Sequence, residues 1–364
     1  MKIVIENHIP YITQRFERVG CDVAYLPPEA IDSQAVADAD ALIIRTRTCC
    51  DESLLAGSRC RFVGTATIGT DHIDLDYCRR HGITVASAPG CNAPAVGQYV
   101  LATIGHWAKS RNINAKGLTL GIVGVGHVGS IVARFARQCG LRILLCDPPL
   151  QERMAQGESP IEPWLAKEEF TTMQHLAAEA DIVTFHTPLT HDGAHPTFHL
   201  CGAQWLAQLQ HCRLIINSAR GPITDTEALL QHLDNHPETD VAIDCWEGEP
   251  HISQALLHRA FVATPHIAGY SQEGKIRGTA MVIEAFNRHY GLRVSALWPP
   301  ATYPLRGASR PTLEQIMATY NPADADTKAM KGNNLDGSPE QELARRFESL
   351  RDTYPLRHAV PETR

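Results

Sequence analysis

The sequence predicts an α/β chain built on doubly wound parallel sheets, and three observations lead there. Short apolar runs recur without the polar–apolar alternation of a half-exposed strand, as parallel strands covered on both faces require. Amphipathic stretches lie between them, so strand and helix alternate. One run, Thr119–Val123, opens directly into Gly124-Val125-Gly126-His127-Val128-Gly129 and then a helical pattern. In that context the first glycine permits a tight turn and the second lets backbone approach a pyrophosphate. The third lets the helix pack on the strand.

Taken in order, strands are expected at Lys2–Ile5, Ala41–Ile44, Phe62–Gly64, Thr84–Ala86, Thr119–Val123, Arg142–Cys146, Ile182–Phe185, Leu214–Asn217 and Val241–Asp244. Helical patterns fall at Val96–Asn112, Gly129–Gln138 and Thr226–His232. A domain boundary is expected near Asn92–Ala95, because the long helix after it leads to a fresh strand at Thr119. From Gly291 the character changes. Leu297–Tyr303 is Pro-rich, Asn321–Pro339 is polar, and Glu340–Arg351 reads as a charged helix. Leu313–Tyr320 and Phe347–Leu350 carry apolar faces that need a partner, so a small C-terminal module is expected rather than a disordered tail.

With 364 residues, 44% of them hydrophobic, the chain can bury two cores and a small third. A net charge of −7 argues against non-specific nucleic-acid binding. No apolar run reaches bilayer length, and the opening MKIVIENHIPY lacks the apolar core and cleavage site of an export signal. No membrane partner is expected, and the location is read as cytoplasmic. The 11 cysteines include no Cys-x-x-Cys pair, so reduced thiols are expected, with Cys49–Cys50 as packing. His191, His195 and His199 have helical spacing, but Gly193 and Pro196 interrupt it, and no metal is expected.

The chemistry-bearing residues follow strand ends, where ligands sit in open α/β sheets. Asp147 closes the strand after the glycine loop, about twenty residues on, where a carboxylate accepts hydrogen bonds from ribose hydroxyls and repels a 2′-phosphate. NAD is therefore the expected cofactor. Arg220 follows Leu214–Asn217, Glu249 follows Val241–Asp244, and His266 lies in Ala263-Thr264-Pro265-His266-Ile267-Ala268-Gly269-Tyr270. Oxidising a secondary alcohol needs a base for the hydroxyl proton, and a histidine titrates near neutrality. A carboxylate can fix its tautomer, and an arginine can hold a substrate carboxylate bidentately.

These segments resemble the D-isomer-specific 2-hydroxyacid dehydrogenase family. The resemblance rests on Gly124–Gly129, Asn217–Pro222 with Asp225, Asp244–Pro250 and Pro265–Gly269, and it covers roughly residues 1–290. It implies a Rossmann NAD-binding domain at residues 96–266 and a discontinuous, flavodoxin-like substrate-binding domain at residues 1–95 and 267–290. The remainder, residues 291–364, would be a dimerisation-type module and the protein a homodimer. Narrower strings point to a branch with a phosphorylated substrate: Phe62–Thr67 with Gly69–His72, Ala88–Ala93, Cys146–Pro149, Thr184–Leu189, His266–Tyr270 and Glu273–Thr279. That branch implies oxidation of 4-phospho-D-erythronate to the 2-oxo acid in pyridoxal phosphate biosynthesis.

Carried over by position, the resemblance makes Arg220, Glu249 and His266 catalytic and gives Thr46, Thr67 and Tyr270 to the substrate. Asp147, Thr187, Ser218, Ala219, Arg220, Asp244 and Gly269 would join the glycine loop in contacting NAD. The sequence departs from the family at Thr46, where Ser is usual, at Arg47, where a small apolar residue is usual, and at Gln98, where an acid is common. The last part of the tail matches weakly. Arg45, Arg47, Lys275 and Arg277 are the candidate phosphate ligands; Arg45 or Arg47 is taken to meet the phosphate, with the alternative that one or both simply face solvent. Two other readings stay open: a 3-phosphoglycerate or glyoxylate-type dehydrogenase, and a non-catalytic NAD-sensing protein on the same fold.

Overall fold

The computed structural model describes residues 1–299, 311–332 and 340–360, and the chain forms two units. The first comprises Met1–Asn92, the segment that opens at Ser271, and Arg357–Ala359. The second comprises Ala93–Tyr270, C-terminal residues as far as Leu356, and Val360.

Five parallel strands make the sheet of the first unit: β1 (Lys2–Glu6), β2 (Asp22–Leu26), β3 (Ala41–Ile44), β4 (Phe62–Thr65) and β5 (Thr84–Ala86). Their order is β2-β1-β3-β4-β5, the flavodoxin-like arrangement. Continuous apolar runs serve both faces. Ile3, Ile5, Ile43 and Phe62 share one core with Phe16, Val282 and Phe286, whereas Val4, Leu42, Ile44 and Val63 share another with Leu54, Leu55 and Tyr77. This is the two-residue period of a pleated strand. The helix Gln272–Tyr290 supplies Val282 and Phe286, and Phe286 meets Phe16 and Phe62 edge-on at 4.9 and 5.6 Å. Ser271 caps that helix by accepting from Gly274 N–H.

The second unit holds six parallel strands: β6 (Thr119–Val123), β7 (Arg142–Cys146), β8 (Ile182–Phe185), β9 (Leu214–Asn217), β10 (Asp240–Ile243) and β11 (Val262–Ala263). Their order is β11-β10-β9-β8-β6-β7. Beside β7, where a nucleotide-binding sheet commonly has one more strand, a single parallel bridge pairs Leu145 with Phe170. The order reverses between β6 and β8, and the cofactor loop follows β6. The helix Ala93–Ser110 buries Tyr99 and Trp107, and the Trp107 indole N–H donates to Asp240 at 2.8 Å.

The C-terminal segment forms no body of its own: its helices belong to this second unit, whereas residues 291–299 and Arg357–Ala359 count with the first. The helix Leu313–Thr319 buries Ile316 in the core of the Ala93–Ser110 helix, and Gln98 donates to the Thr319 hydroxyl at 2.9 Å. The unusual Gln98 is thus a buried partner of the tail. The helix Glu340–Asp352 buries Leu343 and Phe347 in the core that contains Trp246, Ile252 and Leu256. Residues 300–303 of the Pro-rich run and 333–339 of the polar run lie outside the described residues.

Two strands were not expected. β2 is a half-exposed edge strand that begins on Asp22, and β11 has only two residues. β10 ends at Ile243, so Asp244 stands in the turn after the strand, not within it. All 11 cysteines are free, and only Cys49 is exposed. Among the described residues, no helix is long and apolar enough to cross a membrane.

Candidate active site

The glycine loop is shaped by contacts that leave no room for side chains. Gly124 has φ +86°, and a Cβ there would come within 2.8–2.9 Å of the His186 backbone and the Thr187 methyl. A Cβ on Gly129 would overlap the Gly124 carbonyl oxygen. Gly126 differs, because its Cβ would meet nothing within 4 Å. Gly126 is also the N-cap of the helix His127–Gln138, and no side chain caps that end. His127 is exposed and Val128 half-buried, and the helix directs its positive dipole end to this loop.

Asp147 braces this loop. One oxygen accepts from Val125 N–H at 2.7 Å and the other from Leu150 N–H at 2.9 Å. Nearby in the sequence of strand ends, the Thr187 and Ser218 hydroxyls are buried without a hydrogen-bond partner. Buried polar groups need partners. An open helix N-terminus, two orphaned hydroxyls and an acidic strand end fit a dinucleotide in this unit.

Arg220 stands three residues beyond β9, half-buried, in a loop organised by Asn217. The buried Asn217 amide donates to Arg220 O at 2.9 Å and to the Thr224 hydroxyl at 3.2 Å, while its oxygen accepts from Ala219 N–H at 3.1 Å. Glu249 accepts from Trp246 N–H at 2.7 Å through one oxygen and meets His266 Nδ1 at 2.9 Å through the other. An ionised carboxylate only accepts, so Nδ1 carries the proton and Nε2 is left for a substrate. Burial works against ionised Glu249, but the adjacent His266, the Trp246 N–H and Arg351 outweigh it and lower its pKa.

His266 has φ +55°, the left-handed region. Asp244 holds it there. Its oxygens accept from the Thr264 hydroxyl at 2.6 Å, Ile267 N–H at 2.8 Å and Ala268 N–H at 3.0 Å, while its carbonyl accepts from His266 N–H at 2.9 Å. The Tyr99 hydroxyl bonds Thr264 Oγ1 at 2.9 Å behind this turn. Burial raises the pKa of Asp244 despite those donors and His266. Asp244, expected as an NAD contact, therefore also builds the turn that carries His266. Asn217 and Thr264 were not singled out; a polar residue closing an apolar run was the available signal.

Arg220, Glu249 and His266 thus lie in one unit, and Glu249 and His266 are in direct contact. Gly269 and Tyr270 follow in the same turn, where Tyr270 N–H donates to Ile267 O at 2.8 Å. Thr46 and Thr67 belong to the first unit: Thr46 is exposed after β3, and Thr67 shares a 2.6 Å hydrogen bond with Thr65. Among the phosphate candidates, Arg45 donates to His8 O at 3.3 Å, Arg277 donates to Cys91 O at 2.9 Å, and Arg47 is exposed. His195 pairs with Glu152 at 2.7 Å, His199 pairs with Glu247 at 2.6 Å, and the His191 ring lies against Phe198, so the three do not converge. Cys245, Glu249 and His266 have potential ligand atoms within 4.8 Å of one another. Burial is the main cause that pushes the Cys245 thiol well above its ordinary pKa.

Fold and site together define a dehydrogenase of 2-hydroxy acids with an NAD-binding domain. Residues 98–268 match the family described as "D-isomer specific 2-hydroxyacid dehydrogenase, NAD binding domain". By its relatives, the chain belongs to the erythronate-4-phosphate dehydrogenase family within that class. It is 40% identical to the erythronate-4-phosphate dehydrogenase of Bacteroides thetaiotaomicron, over 98% of this chain and 97% of that one. It is 45% identical to the Serratia proteamaculans enzyme of that name, over 80% and 75%. Among solved structures, NAD+-bound 3-phosphoglycerate dehydrogenase of Entamoeba histolytica has a TM-score of 0.64 at 24% identity, over 80% of this chain and 96% of that one. A glyoxylate reductase from Paecilomyes thermophila has 0.65 at 20%, over 81% and 97%. These structures share the fold.

Proposed function

We propose that the chain oxidises 4-phospho-D-erythronate to (R)-3-hydroxy-2-oxo-4-phosphobutanoate, a step toward pyridoxal 5′-phosphate. The observation that carries the chemistry is the 2.9 Å contact between His266 Nδ1 and Glu249, which leaves Nε2 available as a base. The substrate identity rests on relatives at 40% identity over nearly the whole chain.

Arg220 holds the substrate carboxylate and draws electron density from the forming C2 carbonyl. His266 Nε2 takes the C2 hydroxyl proton, and Glu249 stabilises the imidazolium that results. NAD, when bound, accepts the hydride from C2. In the reverse direction His266 returns the proton. Thr46, Thr67 and Tyr270 bind substrate, and Arg45 or Arg47 meets the phosphate. The same reading takes the protein as a cytoplasmic homodimer with its C-terminal segment at the interface, for which light scattering should give twice the chain mass.

NADH formation with 4-phosphoerythronate, 3-phosphoglycerate and lactate tests the substrate. A preference of about a hundredfold or more in kcat/KM for 4-phosphoerythronate is expected, since charged and hydroxyl groups read by a site discriminate strongly. Arg45→Ala or Arg47→Ala should raise KM for the phosphorylated acid far more than for NAD. Better turnover of 3-phosphoglycerate would reassign the substrate, and NAD binding with no turnover would favour a sensor.

A further inference from the structure

The helix Glu340–Asp352 sets a half-buried cation, Arg351, against the second unit. Leu343 and Phe347 anchor its apolar side in the core that holds Trp246, the residue whose N–H binds Glu249. Arg351 lies four residues beyond Phe347, on the same side of the helix. Its guanidinium hydrogen-bonds to Tyr270 and interacts with the charge of Glu249; Glu348 is the other acid beside it. Its Nε is buried without a hydrogen-bond partner. Just past the helix, Tyr354 sets its ring 6.1 Å from that of Tyr270, edge to face. One C-terminal segment therefore grips Tyr270 twice.

Arg351 is half-buried with its Nε sealed from water, and desolvating part of a guanidinium is an expensive way to fill space that an apolar side chain would fill without that cost. Arginine has donors and no acceptor, so in this pair the Tyr270 oxygen accepts, and its own hydrogen is directed away from the helix. We propose that Arg351 is a positioning residue of the active site: it orients the Tyr270 hydroxyl as a donor to substrate and sets a fixed cation beside the Glu249 carboxylate. The proposal rests on the oxidation described above. Glu249 is faced by His266, Arg351 and the Cys245 thiol; Arg351 is faced by Tyr270, Glu249 and Glu348. The C-terminal helix is then part of the catalytic apparatus.

The test compares full-length wild type with R351M, R351K, Y270F, the double variant Y270F/R351M and L343A. Steady-state kinetics, NAD affinity by fluorescence, and titration of the Glu249 carboxyl by carbon-13 NMR (assigned with E249Q) are the readouts. R351M should raise KM for the hydroxy acid at least tenfold, lower kcat, and move the Glu249 titration to higher pH, with NAD affinity within twofold of wild type. R351K should restore the Glu249 titration while leaving KM raised. Y270F/R351M should lose less than the product of the single losses. L343A loosens the same helix without touching Tyr270, so it should leave KM and the Glu249 titration in place. A wild-type KM and Glu249 titration in R351M overturns the proposal, as does L343A reproducing the R351M changes. If wild type prefers another 2-hydroxy acid, only the substrate reading falls and the comparison runs on that acid. If none is turned over, the Glu249 titration decides alone.

Discussion

At His266 the backbone takes a left-handed turn, φ +55°, that a non-glycine residue keeps only when its surroundings enforce it. Asp244 does the enforcing with three accepted hydrogen bonds inside the turn. Asp244→Asn keeps the shape but brings an amide donor to one oxygen position, so either Ile267 N–H or Ala268 N–H loses its acceptor. Leaving such a group unsatisfied costs about 1–3 kcal/mol. We expect a lower urea midpoint together with a reduced kcat; unchanged kcat would separate the turn from catalysis. Glu249 gives a pH prediction. Its folded pKa lies below its ordinary value, so its contribution to stability is complete above the ordinary carboxylate range. That contribution is lost as pH falls through the folded pKa. Glu249→Gln should therefore flatten the acid side of the stability profile and lower kcat by about 10²–10⁴, the usual range for acid–base assistance. An acid limb as steep as that of wild type would assign the effect to other carboxylates.

At the scale of elements, the cofactor loop separates two uses of glycine that the motif presents alike. Gly129 is needed by the fold, because its missing Cβ is where the Gly124 carbonyl sits; Gly126 faces open space. Gly129→Ala should lower the melting temperature and abolish NAD binding. Gly126→Ala should keep the melting temperature of the apo-protein and weaken only NAD, through crowding of the pyrophosphate at the helix end. Equal destabilisation by both, measured by calorimetry without cofactor, would contradict this division. Strands buried throughout were legible because their apolar runs are continuous: β3, β6, β8 and β9 match their expected bounds, and so do the less buried edge strands β5 and β7. β2 was not, since an edge strand starting on Asp22 and followed by two prolines carries half the apolar signal. The residues proposed as catalytic were visible as types after strand ends. Their supports were not: Asn217 and Thr264 act through backbone partners that no spacing rule encodes, and Arg351 arrives from a helix far along the chain.

At the scale of the whole molecule, the chain leaves the first unit after Asn92 and re-enters it at Ser271. Nothing in the composition marks that return; it becomes physical in Val282 and Phe286, which fill the core under β1, β3 and β4. The tail shows the opposite case, since its apolar faces announced a need for partners without naming them, and the second unit supplies them. The proposed NAD contacts, from Gly124 to Gly269, all belong to the second unit, whereas Thr46 and Thr67 belong to the first. A ligand that binds only the folded form of one unit stabilises that unit by RT ln(1 + [L]/Kd), about 2.7 kcal/mol at a hundredfold excess over Kd. Hydrogen exchange with saturating NAD should therefore slow the amides of β6, β8, β9 and β10 by about a hundredfold where exchange needs unit-scale opening, and leave β1, β3 and β4 near their apo rates. Adding the hydroxy acid to the NAD complex should extend protection to the loops after β3 and β4. Protection of both sheets by NAD alone would mean that the two units open together, and the cofactor's stabilisation would then belong to the whole chain.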